Sequence, residues 1–296
     1  MRRAVLRTGP GYSAAVKFLT PQGEEMSEVA RSGPGLPHPE WQLRARLEER
    51  GIRAGDVLQL YGELQVCDVP GGNCAAQVLR WWPQVKVSHS AEYGASVESR
   101  QRGMAALRTH LVESGRQRGF VIDVETRRLP LSSVQESDAA VSTAPTDVSA
   151  SLGAVFPPFF EPAGEAEGTA PLVDHLIAHG NVLSAEVEQE FTARGYVRIG
   201  SDYGREICVT PGTGEVWAVG RRSGRALYVN RSVERYAGCL ELLRRAWPQR
   251  VGLGPADSAG HTAEFQHAVA ALDGTAFSDP ENWWSVILEQ HWDGLL

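Results

Sequence analysis

Two kinds of apolar spacing alternate along the first 130 residues. Alternating runs around the turn signal Pro21-Gln22-Gly23 predict a pair of strands within residues 12–33. Spacings of three and four residues then predict helices, and short β-branched runs predict strands. The predicted order is helix 38–51, strand 56–66, helix 73–82, strand 84–90, helix 95–114 and strand 119–125. This alternation predicts an α/β domain with a partly parallel sheet flanked by helices.

The second half of the chain follows a different order. Helices are predicted over 171–180 and 184–195, followed by short strands within 196–220, a strand that leads into a long helix over 225–247, and a terminal helix over 281–292. This order predicts a second, α+β domain. It contains no nucleophile–base pair, no phosphate loop and no metal spacing, and Cys208 and Cys239 are interpreted as small buried hydrophobic residues.

The two halves are joined by a segment without periodic apolar residues. Ser, Ala, Asp and Thr dominate 132–154, which predicts domains over 1–128 and 171–296 joined by a linker over 129–170. The apolar run VFPPFF within this linker is expected to dock on a folded surface by burying Phe156, Phe159 and Phe160.

Charge is divided unevenly between the halves. Residues 1–130 carry 18 Lys and Arg against 14 Asp and Glu, whereas 131–296 carry 11 against 22. The balances of +4 and −11 suggest different partners, with a polyanion a candidate for the first half. No apolar run reaches the roughly 20 residues of a membrane span. Four cysteines are too few for a disulfide scaffold, so we expect reduced thiols, a cytoplasmic protein and no membrane partner.

Four residues of the first half are candidates for chemistry. His38 and Glu40 lie at the start of a predicted helix, Cys67 follows a strand, and Cys74 begins the next helix. One imidazole and two thiolates suit Zn²⁺, whose fourth position holds a water with its pKa lowered toward about 7. Glu40 would carry protons. Two alternatives remain open: His38 as a simple helix cap, and Cys67 as a nucleophile with His38 or His89 as base.

His38-Pro39-Glu40 and the later Cys67 and Cys74 resemble the signature of zinc-dependent nucleoside and nucleic-acid deaminases. Val66 replaces the usual proline, and six residues instead of two separate the cysteines, although Gly71-Gly72 would let that loop fold back. Within this group, YGELQVCDVPGGNCA and HSAEYG are similar to bacterial polymorphic-toxin deaminase domains.

The resemblance covers roughly residues 12–125. It implies a cytidine deaminase-like fold, zinc held by His38, Cys67 and Cys74, and Glu40 as the proton carrier. The implied substrate is a base in nucleic acid or a nucleotide, with cytosine preferred to adenine. Tyr61 and His89 are secondary candidates for substrate contacts.

The second half resembles the SUKH superfamily of bacterial immunity proteins, through IGSDYGREICV, PGTGEVWAV and LYVNRSVERYAGCLELL. That resemblance covers about 171–296 and implies a binding module that neutralises a toxin. An acidic surface suits this role, because it can fill a basic nucleic-acid cleft.

Three hypotheses follow for the whole chain. The first is an active deaminase fused to an immunity-type module. The second is an antitoxin whose deaminase fold has lost activity, and the third is a nucleotide-salvage deaminase with a regulatory domain. The opposed charges suggest that the acidic half binds a separate cognate toxin or docks on its own deaminase domain. If the acidic half docks on its own deaminase domain, residues 1–130 alone would be more active than the full chain.

Overall fold

A computed structural model describes residues 2–118, 120–124, 160–163, 171–179, 181, 183–221 and 224–296. The chain divides into two compact units. Unit 1 contains the described residues of 1–129, 248–263 and 288–296, and unit 2 contains those of 130–247 and 264–287. Most of the predicted linker lies outside the described residues, and the domain boundaries given above remain predictions.

The secondary structure of residues 2–124 follows the predicted order closely. The elements are β1 (Arg2–Leu6), β2 (Ser13–Leu19), β3 (Glu25–Arg31), α1 (Pro39–Glu49), β4 (Val57–Leu64), α2 (Cys74–Trp81), β5 (Lys86–Ala91), α3 (Val97–Gln117) and β6 (Phe120–Val124). Strand β1 was not predicted. It pairs in parallel with β6 as a separate two-stranded sheet.

The main sheet of unit 1 has the strand order β3-β2-β4-β5. Strand β2 is antiparallel to both β3 and β4, whereas β4 and β5 are parallel. The parallel pair arises because α2 lies between β4 and β5 in the chain and serves as the crossover. The α/β fold class with a partly parallel sheet is therefore confirmed.

Alternation along the strands places one face of this sheet in the core. Ala14, Val16 and Phe18 of β2 are buried, whereas the residues between them are partly exposed. Helix α1 begins at Pro39, as predicted from the tolerance of proline in a first turn. It buries Trp41, Leu43 and Leu47 and thereby fixes its first turn, where the candidate chemistry lies.

Unit 2 is built on an antiparallel sheet of five strands in the order β11-β10-β9-β8-β7. Its strands are β7 (Glu161–Pro162), β8 (Val197–Ser201), β9 (Arg205–Val209), β10 (Val216–Gly220) and β11 (Ala226–Asn230). The helices of the second half are α4 (Leu172–Ala178), α5 (Ala185–Arg194), α6 (Val233–Arg250), α7 (Pro255–Leu272) and α8 (Trp283–Asp293), and the last three contribute residues to both units. Helix α7 was not predicted.

The core of unit 2 confirms the interpretation of its cysteines. Cys208 and Cys239 are fully buried, and burial raises the pKa of both thiols.

Phe160 is buried against Tyr236 of the same unit, with 5.5 Å between ring centroids. Phe156 and Phe159 lie outside the described residues.

Over the described part of the chain, no helix is both long and apolar enough to cross a membrane.

Candidate metal centre

His38 occupies the N-cap position of α1, but its side chain does not cap the helix. The imidazole is buried and directs Nδ1 toward two sulfur atoms. Nδ1 lies 3.4 Å from Sγ of Cys67 and 3.4 Å from Sγ of Cys74. The structure therefore contradicts the alternative that His38 is only a helix cap.

The loop between Cys67 and Cys74 folds back on itself, so that both sulfurs reach the same point. Asn73 donates its backbone N–H to Val69 O at 2.9 Å, and Ala75 donates to Cys67 O at 2.9 Å. Gly71 and Asn73 have φ values of 84° and 46°, in the left-handed region. A loop of six residues thus brings two cysteines together, as a loop of two does in the deaminase signature.

Gly72 packs closely against Cys67 and His38. A Cβ atom at residue 72 would lie 2.6 Å from Cys67 Sγ, and equally close to Cε1 and Nδ1 of His38. The Gly72 carbonyl accepts a hydrogen bond of 2.8 Å from Trp41 Nε1, which ties the loop to α1. Only glycine fits between the sulfur and the imidazole without moving one of them.

Glu40 lies beside these three side chains and is completely buried. Its Oε2 accepts a hydrogen bond of 2.7 Å from the Tyr12 hydroxyl, whereas Oε1 has no hydrogen-bond partner among the described residues. The ring of Tyr12 also contacts the His38 imidazole edge-on, with 5.8 Å between centroids. The carboxyl group is therefore held through one oxygen and keeps the other for an additional group.

Burial and mutual charge set the protonation of the cluster. Burial alone would raise the pKa of Cys67, but hydrogen bonding from Cys74 and the charge of His38 hold it well below its usual range. Burial and the Cys67 thiolate raise the pKa of Cys74 well above its usual range. Burial lowers the pKa of His38, but Cys67, Glu40 and Gln290 together outweigh burial, and the net shift is upward. Taken by themselves, the three side chains thus hold one thiolate.

The pKa of the Glu40 carboxyl is raised. Burial is the largest cause, the charge of His38 opposes it, and the Cys67 thiolate adds to it. The pKa of Tyr12 is raised well above its usual range by burial and by Glu40, so Tyr12 stays neutral and acts as a donor. A raised carboxyl pKa is the direction that general acid–base catalysis favours.

His38, Cys67 and Cys74 could hold a metal ion. Their ligand atoms all lie within 4.8 Å of one another, and they form the only such group of His, Cys, Asp and Glu found among the described residues. A Cys67–His38 nucleophile pair would need the same short distance. It gives no role to Cys74, which is equally close to His38, or to Glu40.

Tyr61 and His89, the two candidates for substrate contacts, lie on exposed positions of the sheet. Tyr61 on β4 is 42% exposed and its hydroxyl contacts Ser90 Oγ at 2.5 Å, while His89 on β5 is exposed. Neither shares the buried position of the cluster. Two residues that sequence reasoning missed do lie at the centre, Tyr12 and Gln290. No motif or spacing marks either of them.

Replacing Gly72 by alanine is expected to weaken metal binding on the order of tenfold or more, because the added methyl group displaces a ligand or its support. The matched control is Gly55→Ala, because a Cβ at residue 55 meets no atom within 4 Å. Metal affinity of both variants is measured by competition with a chelator. Equal affinities would contradict the tight packing seen at residue 72.

Comparison with known protein families found two matches. The chain combines a deaminase-family domain with an immunity-protein domain. Residues 9–110 match the Xanthomonas-like deaminase family. Residues 129–290, more than half of the chain, match the SUKH-4 immunity protein family, and the chain belongs to that family. A search of curated proteins and a search of solved structures each found no match.

Proposed function

We propose that the chain is a zinc-dependent deaminase that hydrolyses the exocyclic amine of a nucleobase, joined to an immunity-type binding module. One observation carries the proposal: Nδ1 of His38 lies 3.4 Å from each cysteine sulfur, with the buried Glu40 alongside. The match to the Xanthomonas-like deaminase family supports the reaction class.

The three side chains suit zinc in identity and in spacing. Zn–S bonds of about 2.3 Å and Zn–N bonds of about 2.0–2.1 Å at tetrahedral angles place sulfur and nitrogen roughly 3.6 Å apart. The observed distances are 3.4 Å. His38, Cys67 and Cys74 would be the ligands, and three protein ligands are typical of catalytic zinc sites, which keep one position open. When bound, zinc supplies a nucleophilic water at neutral pH, because it lowers the pKa of water toward about 7.

Glu40 is assigned the proton transfers of the reaction. Deamination adds water to the ring carbon that carries the amine, and releases ammonia as a carbonyl forms in its place. Glu40 takes a proton from the attacking water and passes it to the ring nitrogen. As the added hydroxyl becomes the carbonyl, Glu40 takes its remaining proton and gives it to the leaving amine. Its Oε1 is available for these transfers, while Tyr12 fixes Oε2 and so orients the carboxyl group.

The substrate is proposed to be a base in nucleic acid or in a nucleotide, with cytosine preferred to adenine. The net charge of +4 over residues 1–130 suits a phosphate-bearing substrate. The SUKH-4 module, with a net charge of −11 over residues 131–296, is proposed to bind the basic surface of a cognate toxin or to restrain its own deaminase domain.

The test is metal content of the purified full chain, measured beside deamination of a panel of oligonucleotides and nucleosides. We expect one zinc per chain and release of ammonia that stops when a chelator removes the metal. Running the panel at low salt and at about 0.5 M salt tests restraint by the acidic half, because salt screens opposed charges and would release it. A rate on nucleosides, which carry no phosphate, that does not rise with salt would argue for a separate toxin partner.

The same experiment separates the other hypotheses. Protein without zinc would overturn the proposal. Zinc without turnover on any substrate would favour an antitoxin with an inactive deaminase fold, and activity on free nucleosides but not on oligonucleotides would favour a salvage enzyme.

A further inference from the structure

The 288–296 segment is an integral part of unit 1. Side-chain and backbone hydrogen bonds join this segment to residues between Gly9 and Arg108. These are Arg100 to Glu289 at 3.0 and 3.2 Å, Arg108 to Asp293 at 3.1 Å, Gly9 N to Trp292 O at 2.7 Å, Gly11 N to Asp293 O at 3.1 Å, and Ser32 Oγ to Gly294 O at 2.9 Å. Leu295 and Leu296 are fully buried. The segment is therefore fixed by several independent contacts.

Gln290 points from this segment into the metal centre. Its Nε2 donates a hydrogen bond of 2.6 Å to Pro70 O, in the loop that joins Cys67 to Cys74. Pro70 is two residues from Gly72, the residue in contact with the His38 ring. The Gln290 side chain is itself fully buried. Burial lowers the pKa of the His38 imidazole and Cys67 raises it most, and the proximity of Gln290 adds to the upward shift.

The imidazole needs an acceptor on the side away from the sulfurs. Nδ1 faces Cys67 and Cys74, so metal ligation leaves the proton of a neutral imidazole on Nε2, which is buried. A buried N–H without an acceptor costs about 1–3 kcal/mol. The carboxamide of Gln290 donates through Nε2 to Pro70 O, so its acceptor atom is Oε1, and His38 Nε2 has no hydrogen-bond partner among the described residues.

We propose that Gln290 is a positioning residue of the metal centre, which holds His38 in the tautomer and orientation that present Nδ1 to the metal, and at the same time braces the cysteine loop through Pro70 O. This inference rests on the proposed zinc site. It goes beyond that site because it makes the 288–296 segment, over 200 residues from the ligands in sequence, part of the metal centre.

The test is Gln290→Met in the full chain, which keeps the approximate volume of the side chain but removes the hydrogen bond to Pro70 O and the proposed acceptor for His38. Partners of this kind typically contribute 10–100-fold to metal affinity, so we expect zinc affinity, measured against a chelator, to fall by about that factor. The absorption spectrum of the cobalt-substituted variant should shift, because the orientation of His38 changes. Gln290→Glu retains an acceptor for His38 and should bind zinc more tightly than Gln290→Met.

The matched control is Asp293→Asn, which weakens another anchor of the same segment, the one to Arg108. It should leave zinc affinity and the cobalt spectrum nearly unchanged. The positioning role is overturned if Gln290→Met binds zinc within about twofold of the unaltered chain, or if Asp293→Asn loses as much affinity as Gln290→Met. An unaltered chain that binds no zinc would overturn the metal site itself, and this inference with it.

Discussion

Replacing Glu40 by glutamine is expected to lower the rate of deamination by at least about 100-fold and to leave zinc bound. The amide keeps the size of the carboxyl group and its contact with the Tyr12 hydroxyl, but it can no longer take up or release a proton. Zinc should remain at one per chain, because Glu40 is assigned no bond to the metal. Rate and metal content are measured on the same preparation.

Glu63→Gln is the control for this substitution. Glu63 is a half-buried carboxylate on β4 whose Oε2 accepts a hydrogen bond of 2.6 Å from the backbone N–H of Ser13. Its substitution disturbs the same sheet without touching the cluster, so the rate should stay within a few-fold of the unaltered chain. A Glu40→Gln chain that keeps its rate would remove Glu40 from the chemistry. One that loses zinc would instead assign Glu40 to metal binding.

Local spacing was enough to predict that His38, Cys67 and Cys74 lie close together. His38 begins a helix and Cys74 begins the next, with Cys67 directly after the strand between them. In a helix–strand–helix unit around one sheet these positions lie near each other, whatever the exact length of the intervening loop. The loop of six residues was the main departure from the deaminase signature. Its glycines, at residues 71 and 72, are what allow both sulfurs to reach Nδ1 of His38.

The rest of the centre depends on contacts between distant parts of the chain, which no local pattern encodes. Tyr12 reaches Glu40 across 28 residues, and Gln290 reaches Pro70 across 220. Both belong to residue types that are common in ordinary cores and helices. The terminal helix was predicted correctly as a helix, but its apolar spacing could not show which unit its last turns would join.

Removal of residues 288–296, which belong to unit 1, is expected to have a second large effect. A chain that ends at residue 287 is expected to lose both folded unit 1 and its metal. The deletion removes Leu288, Leu295 and Leu296, each no more than 1% exposed. Burial of three such side chains contributes roughly 5–9 kcal/mol, which is comparable with the roughly 5–15 kcal/mol that stabilises a whole domain. It also leaves the buried Arg100 without Glu289.

Self-inhibition by the acidic half predicts that the isolated fragment 1–130 is more active than the full chain. That fragment lacks residues 248–263 and 288–296, which belong to unit 1. The loss of their packing predicts the opposite result, which is little bound zinc, a lowered thermal midpoint and no turnover. The two accounts are separated by comparing it with a full chain cut by a protease at a site inserted within 132–154. The cut chain retains every segment of unit 1 and should keep its zinc, its thermal midpoint and its rate. Zinc-loaded, active 1–130 would show that the later segments are dispensable, and a rate above that of the cut chain would establish restraint by the acidic half.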